Sequence, residues 1–475
     1  MTGPVLAVDQ GTSGTKALVV CPQRGVIGAG FAEVRPRHLP GGLVEVDPEE
    51  LYTSVVEAGR RALAEASEPV VALGLANQGE TVLAWDPATG RPLTDALVWQ
   101  DRRAESVCEE LAPYADELRE LTGLPLDPYF AAPKMAWIRC HLTREGVVTT
   151  TDAWIVHRLT GAYVTDAATA SRTQLLDLDR AQWSPRALDL YGLADERLPR
   201  IVGNAQPVGT TKEFGQEIPV TGLAVDQQAA LLAQRVTEPG GAKCTYGTGA
   251  FLLAHTGDTP RRGGSGLVSC IAWNLAGRTS YCLDGQVYTA ASAVSWLTDL
   301  GVIKGAADLD GVGGSVPDSG GVTFVPALAG LAAPWWRGDL RGSLTGLGLD
   351  TTAGHLVRAL CEGIAAQVAE LVDALESPLE TLRVDGGLTR SALLMQTQAD
   401  LLQRPVEVSA LPDATALGVA ALASLGAEPG GTLGTALPDR KPAARYEPRI
   451  SAAEAADRRA RFRGDVTALL ARTPA

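Results

Sequence analysis

Val5-Leu6-Ala7-Val8-Asp9-Gln10-Gly11-Thr12-Ser13-Gly14-Thr15-Lys16-Ala17-Leu18-Val19-Val20 is the stretch on which the fold turns. Two short Val-rich runs flank a glycine–hydroxyl turn, the pattern of a β-hairpin. Gly11 and Gly14 let the backbone come close to a phosphate, Thr12 and Ser13 add hydroxyls, and Lys16 adds positive charge across the hairpin. Asp9 closes the first run, where a carboxylate suits hydrated Mg2+, an ion that takes one or two carboxylates and keeps its waters. The same residues also make an ordinary glycine-rich hairpin with an Asx-turn, so the stretch needs company.

Company comes from two further segments. Ala242 to Leu253 repeats the strand–turn–strand pattern around Tyr246-Gly247-Thr248-Gly249. Leu382-Arg383-Val384-Asp385-Gly386-Gly387 runs from a strand into a glycine turn, before an amphipathic helix predicted over Ser391–Leu402. A helix N-terminus after such a turn can dock a nucleotide, or be a plain βα connection. Strand-type and helix-type periodicity alternate along the chain, which predicts α/β architecture. Helices are predicted over Pro48–Ala66, with Asp47 as N-cap, and over His355–Leu375. Gly311 to Gly321 reads as a loop, and the Ala- and Arg-rich segment after Pro438 as a solvated terminal helix. Val236-Thr237-Glu238-Pro239-Gly240-Gly241 has linker composition, which divides the chain into residues 1–236 and 237–475.

Composition narrows the function classes. The 475 residues carry 41 basic and 55 acidic side chains, net −14, with no basic stripe, which argues against nucleic acid as a partner. The seven cysteines form no CxxC pair, the five histidines show no metal-ligand spacing, and GxxxxGK[ST] is absent. No apolar run reaches membrane-spanning length and no leader pattern opens the chain, so the expected compartment is the cytoplasm and no membrane partner is expected. No feature sets the oligomeric state, and a homodimer is compatible with the sequence.

Taken together and in order, the two hairpins and the glycine turn resemble the actin-like ATPase superfamily. Within it the chain resembles the FGGY carbohydrate kinases, and most of all the glycerol kinases. The segments that carry the resemblance include Asn77-Gln78-Gly79-Glu80-Thr81, Val98-Trp99-Gln100-Asp101-Arg102-Arg103, Asp127-Pro128-Tyr129-Phe130 and Ala170-Ser171-Arg172-Thr173. They continue with Asp226-Gln227-Gln228-Ala229-Ala230 and Thr415-Ala416-Leu417-Gly418. The resemblance implies two actin-like (ribonuclease H-like) domains around an interdomain cleft, and ATP- and Mg2+-dependent phosphorylation of a small sugar or polyol hydroxyl. Asp226 matches the catalytic base, which takes the proton of an alcohol as its bond to phosphorus forms, and it doubles as a metal-side carboxylate with Asp9. The residue also reads as a helix N-cap, and the two readings are compatible. Glu80, Trp99, Tyr129, Gln227 and Phe251 match the substrate pocket, where polar groups share hydroxyls and rings cover the carbon chain. Thr12, Ser13, Gly14, Lys16, Gly247, Thr248, Ala291, Ser295, Gly387 and Ser391 match nucleotide-binding positions.

The departures matter. Lys16 stands where glycerol kinases carry arginine and so lacks the bidentate fork. Ala291, Ser295 and Ser391 replace glycine, glutamine and asparagine on the adenine side. Above all, Gly79 stands where glycerol kinases have an arginine that donates to a substrate hydroxyl. Losing that donor costs glycerol on the order of 1–3 kcal/mol, and the vacated volume suits a longer molecule. The expected substrate is therefore larger than glycerol, a tetritol, pentitol or ketose, with glycerol as the alternative. A non-catalytic sensing relative would have lost Asp226, Asp9 or Thr12, and all three are present. A chaperone-type ATPase needs a further β-domain, for which too few residues follow Gly418.

Overall fold

The computed structural model describes residues 3–262, 266–428, 430–437 and 441–472. Two sheets organise the chain. The first runs Ala205–Thr211, Ile218–Val225, Ala72–Asn77, Val5–Gln10, Gly14–Cys21, Gly25–Glu33. Its hairpin pairs antiparallel with Asp9 opposite Lys16, while Ala72–Asn77 and Ile218–Val225 lie parallel to Val5–Gln10. The second sheet runs Val268–Leu275, Arg278–Val287, Ala250–Gly257, Ala242–Tyr246, Leu382–Asp385, Val406–Ser409, Pro442–Tyr446. Each sheet thus has the same centre: an antiparallel ladder of three strands, then two strands parallel to the first. The two halves that the glycine turns hint at are two lobes of common topology.

The central strands are continuous apolar runs because both faces are covered. On the first sheet one cover is the helix Pro48–Ala66, started by Asp47, whose carboxylate accepts from Glu49 N at 2.9 Å. The other cover comes from far along the chain. Helix Ala414–Ala427 is buried on all sides and lies on Ile218–Val225, Ala72–Asn77 and helix Asp226–Ala233. The approach is close enough that a Cβ on Gly418 would run into the carbonyl oxygen of Ala229, and one on Gly426 into that of Thr221.

The structure adjusts several expected elements. The helix predicted from His355 starts at Ala353, because Thr352 and His355 form a reciprocal cap. Part of the glycine-rich stretch is helical, Leu309–Gly313. Residues 438–440 lie outside the described residues, and the segment beyond them is more than a solvated helix. Pro442–Tyr446 first adds an edge strand to the second sheet. Helix Ala452–Arg472 then buries Phe462 and Val466 against Val325 and Leu340. Arg458 and Arg459 tie it down through Glu362 at 2.8 Å and Glu370 at 2.9 Å.

Candidate active site

The site lies between the lobes, where the ends of the parallel strands meet the glycine turns. Asp226 is the first residue of helix Asp226–Ala233, immediately after strand Ile218–Val225, with Val225 rather than Asp226 as the N-cap. Its Oδ1 accepts from Gln227 N at 2.6 Å, which fixes the carboxylate at the helix N-terminus. Burial raises its pKa, and the ammonium of Lys243 is the strongest influence in the other direction. Lys243 is fully buried on the second sheet and donates to Gln227 Oε1 at 2.6 Å and Thr245 Oγ1 at 2.8 Å. The base candidate and its neighbour Gln227 are therefore held from the opposite lobe.

Asp9 sits two strands away across the same sheet edge. Burial, followed by the charge of Asp226, raises its pKa to about 7, against a lowering effect of Lys16. Two half-buried carboxylates that repel one another are suited to a divalent cation, which relieves the repulsion. No cluster of three or more His, Cys, Asp or Glu residues of metal-binding type occurs among the described residues.

On the side of the expected substrate residues, Glu80 is buried with φ 60, a left-handed backbone rare for a residue with a side chain. Its Oε1 accepts from Arg172 Nε at 2.5 Å. The same guanidinium donates through Nη1 to Asp284 Oδ2 at 2.5 Å and through Nη2 to the Tyr129 hydroxyl at 3.3 Å. Trp99 stands edge-on to Tyr129, centroids 5.7 Å apart, and to Phe251 at 6.4 Å. Lys134, wholly buried, fixes the turn that carries Tyr129 by donating to the carbonyls of Pro128, Tyr129 and Phe130 at 2.8, 2.6 and 2.7 Å. Glu80, Trp99, Tyr129, Gln227 and Phe251 thus gather around one locus with Asp226. A cavity of about 120 Å³ adjoins it, lined by Trp99, Arg102, Tyr129, Tyr288 and Ala329 among others.

The nucleotide-side residues divide into free and engaged groups. Ser13 is exposed at the tip of the first turn, which is closed by Gly11 N donating to Gly14 O at 3.1 Å. Thr12 is engaged: its hydroxyl donates to Gln78 Oε1 at 3.0 Å and accepts from Trp99 Nε1 at 2.9 Å, joining the first glycine turn to the aromatic wall. Lys16 is half-exposed and ion-paired with Asp413 at 2.6 Å. In the second lobe, Gly387 faces open space, and a Cβ on Gly247 would meet only the Gly249 carbonyl oxygen, at 4.0 Å. Gly386 has φ +97 and leaves no room for a Cβ beside Tyr246. Carbonyls of Gly247 and Thr248 accept from Ala291 N at 3.1 Å and Ala290 N at 2.9 Å, so the turn sits on the start of helix Ala291–Asp299. Ser295 is exposed on that helix. Ser391 caps helix Ala392–Leu402 and donates to Asp310 Oδ1 at 2.6 Å.

Arg172, Lys243 and Asp284 have no role in the sequence reading, although all three lie in the site. The available signal was a charged side chain inside a run that is otherwise buried, as at Lys243 between Ala242 and Cys244.

Comparison with known proteins agrees with the two-lobed fold. The profile described as the FGGY family of carbohydrate kinases, N-terminal domain, matches residues 4–233, and the corresponding C-terminal domain profile matches residues 242–427. A glycerol kinase of Gloeobacter violaceus is 43% identical over 443 residues, covering 90% of this chain and 88% of that protein. The crystal structure of Plasmodium falciparum glycerol kinase with ADP superposes with TM-score 0.89 at 30% identity, covering 98% of each chain. A xylulose kinase structure from Brucella ovis also gives TM-score 0.89, at 26% identity, covering 98% of this chain and 99% of that one.

Proposed function

Since the chain belongs to the FGGY family of carbohydrate kinases, phosphotransferases that act on alcohol groups with ATP and Mg2+, we propose that it phosphorylates a primary hydroxyl of a small polyol, glycerol first. The supporting observation is one carboxylate, Asp226, bordered on one side by Glu80, Arg172 and Tyr129 and on the other by Asp9, which leads into the first glycine turn. Asp226 accepts the hydroxyl proton while the substrate oxygen bonds to the γ-phosphorus and the bond to the ADP oxygen breaks. Glu80 accepts hydrogen bonds from substrate hydroxyls; burial raises its pKa, and the Arg172 guanidinium acts in the opposite direction. Trp99, Tyr129 and Phe251 cover the carbon chain and exclude water, which would otherwise compete as acceptor. Asp9 and Asp226 are the metal-side carboxylates, and the bound ion would neutralise charge on the phosphates. Ser13, Gly14, Gly247, Thr248 and Gly387 border the phosphate path, with Lys16 available once it exchanges Asp413 for phosphate. The lobes divide in the Val236–Gly241 segment, a reading supported by family matches that stop at 233 and resume at 242.

One observation favours a second reading, a polyol or ketose longer than glycerol. Gly79 is buried beside Glu80, and a Cβ there would meet only Val225 Cγ2, at 3.1 Å. The donor of the glycerol-type pocket is therefore missing with no backbone obstruction in its place. Measuring kcat/KM on glycerol against four- to six-carbon polyols and ketoses decides between the two. Glycerol in the lead supports the first reading; a longer substrate ahead by tenfold or more replaces it with the second.

A further inference from the structure

On the second-lobe side of the polyol pocket, the walls described so far include only the ring of Phe251 and no polar group assigned to substrate. Strand Arg278–Val287 pairs with Ala250–Gly257 so that Gln286 is directly opposite Phe251 and Asp284 opposite Leu253. Directly opposed residues share a sheet face with Cβ atoms about 5 Å apart, so Gln286 stands beside the ring that closes the pocket against Trp99. Asp284 is 2% and Gln286 1% exposed, so neither can be satisfied by bulk water. Asp284 commits one oxygen, Oδ2, to Arg172 at 2.5 Å and to Gln286 Nε2 at 3.2 Å. The second bond orients the amide, its donor toward the carboxylate and its carbonyl oxygen away. What remains is Asp284 Oδ1 and Gln286 Oε1, two buried acceptors with no partner among the described residues. Buried acceptors without donors are rare because each costs about 1–3 kcal/mol. Two of them in adjacent inward-facing positions, next to a substrate-covering ring, fit a site whose donor arrives with the ligand. Tyr288, two residues further along, lines the cavity of about 120 Å³ that Trp99 and Tyr129 share, so there is room on this side of the rings.

We propose that Asp284 and Gln286 form a hydroxyl-reading subsite on the second lobe, accepting O–H hydrogens of the polyol that Glu80 does not take. This rests on the polyol-kinase reading above. It makes specificity a property of both lobes: the first holds the reacting end against Asp226, and the second counts hydroxyls. The acceptors suit a neutral polyhydroxylated chain and reject a carboxylate or phosphate, which would place negative charge against Asp284.

Gln286→Met, which keeps the side-chain length and removes the acceptor, is the decisive variant, with Asp284→Asn beside it. The wild type and both variants are assayed on the best polyol of a three- to six-carbon panel and on its single-deoxy analogues. The expected result is a rise of tenfold or more in polyol KM for Gln286→Met, with the KM for ATP moving less than twofold. In addition, a deoxy analogue that the wild type handles at least tenfold less well than its parent should differ by less than threefold in Gln286→Met. The second readout separates hydroxyl recognition from a merely structural role, because a loosened pocket weakens parent and analogue alike. An active wild type whose polyol KM and deoxy discrimination survive Gln286→Met overturns the subsite alone. A wild type inactive on the whole panel overturns the polyol-kinase reading and the subsite with it.

Discussion

Arg172 in the first lobe and Asp284 in the second form an ion pair 2.5 Å long with side chains 4% and 3% exposed. Because the same guanidinium holds Glu80 at 2.5 Å, one side chain links the lobes and orients the Glu80 carboxylate. Removing it would strand two buried acids. Arg172→Met is expected to cost about 3–5 kcal/mol, read by chemical denaturation. Arg172→Lys keeps the charge but not the fork, and is expected to fold with a raised polyol KM.

Asp226→Asn keeps the shape of the site and removes its base. A loss of about 10²–10⁴ in kcat is expected, with nucleotide binding followed by calorimetry largely retained. Near-normal turnover would refute the assignment.

Lys243 acts on the same carboxylate from across the cleft. Replacing it with Met removes the cation that most lowers the Asp226 pKa, so that pKa rises and the ionised fraction falls at any given acidic pH. The acidic limb of the kcat profile is expected to move to higher pH in Lys243→Met and to return in Lys243→Arg.

Asp9 makes stability depend on pH in the ligand-free protein. Its pKa rises from 3.8 to about 7 on folding, so the native state holds a proton that the unfolded chain has released. Its contribution is therefore lost as pH rises from about 4 to about 7. Asp9→Asn should flatten this decline in melting temperature over that window, while depriving the metal side of a carboxylate. A decline of unchanged slope in the variant would show that Asp9 does not carry it.

Gly79→Arg tests the substrate reading from the protein side. The new Cβ meets only a Val225 methyl, at 3.1 Å, so the variant folds if that methyl gives by a few tenths of an ångström. Its kcat/KM on glycerol should rise by roughly tenfold to a hundredfold, the value of one to two hydrogen bonds, and fall on longer polyols.

The local chemistry was legible from the residues. Glycine at 11 and 14 after the run ending in Asp9, at 386–387 after the run ending in Asp385, and at 247 after Tyr246 marks turns built for close approach, and Asp226 closes a further apolar run. These signals lie within a few residues and need no knowledge of the rest of the chain. Engagement was not legible. Thr12 looks like a free phosphate donor, yet Trp99, 87 residues away, already donates to it. Ser391 looks like an adenosine contact, yet it caps a helix and donates to Asp310, 81 residues earlier.

Alternating periodicities and turn chemistry were enough to predict an α/β chain, to hint at two like halves and to place a carboxylate at a strand end, since these are short-range properties of a backbone. Which charges meet was decided by sheet register. Lys243, Asp284 and Gln286 face the cleft because Ala242–Tyr246, Ala250–Gly257 and Arg278–Val287 pair in one alignment. A slip of one residue would turn each of them to the other face of the sheet. That alignment is selected by the burial of both sheet faces, a sum over contacts from the whole chain that no single stretch contains.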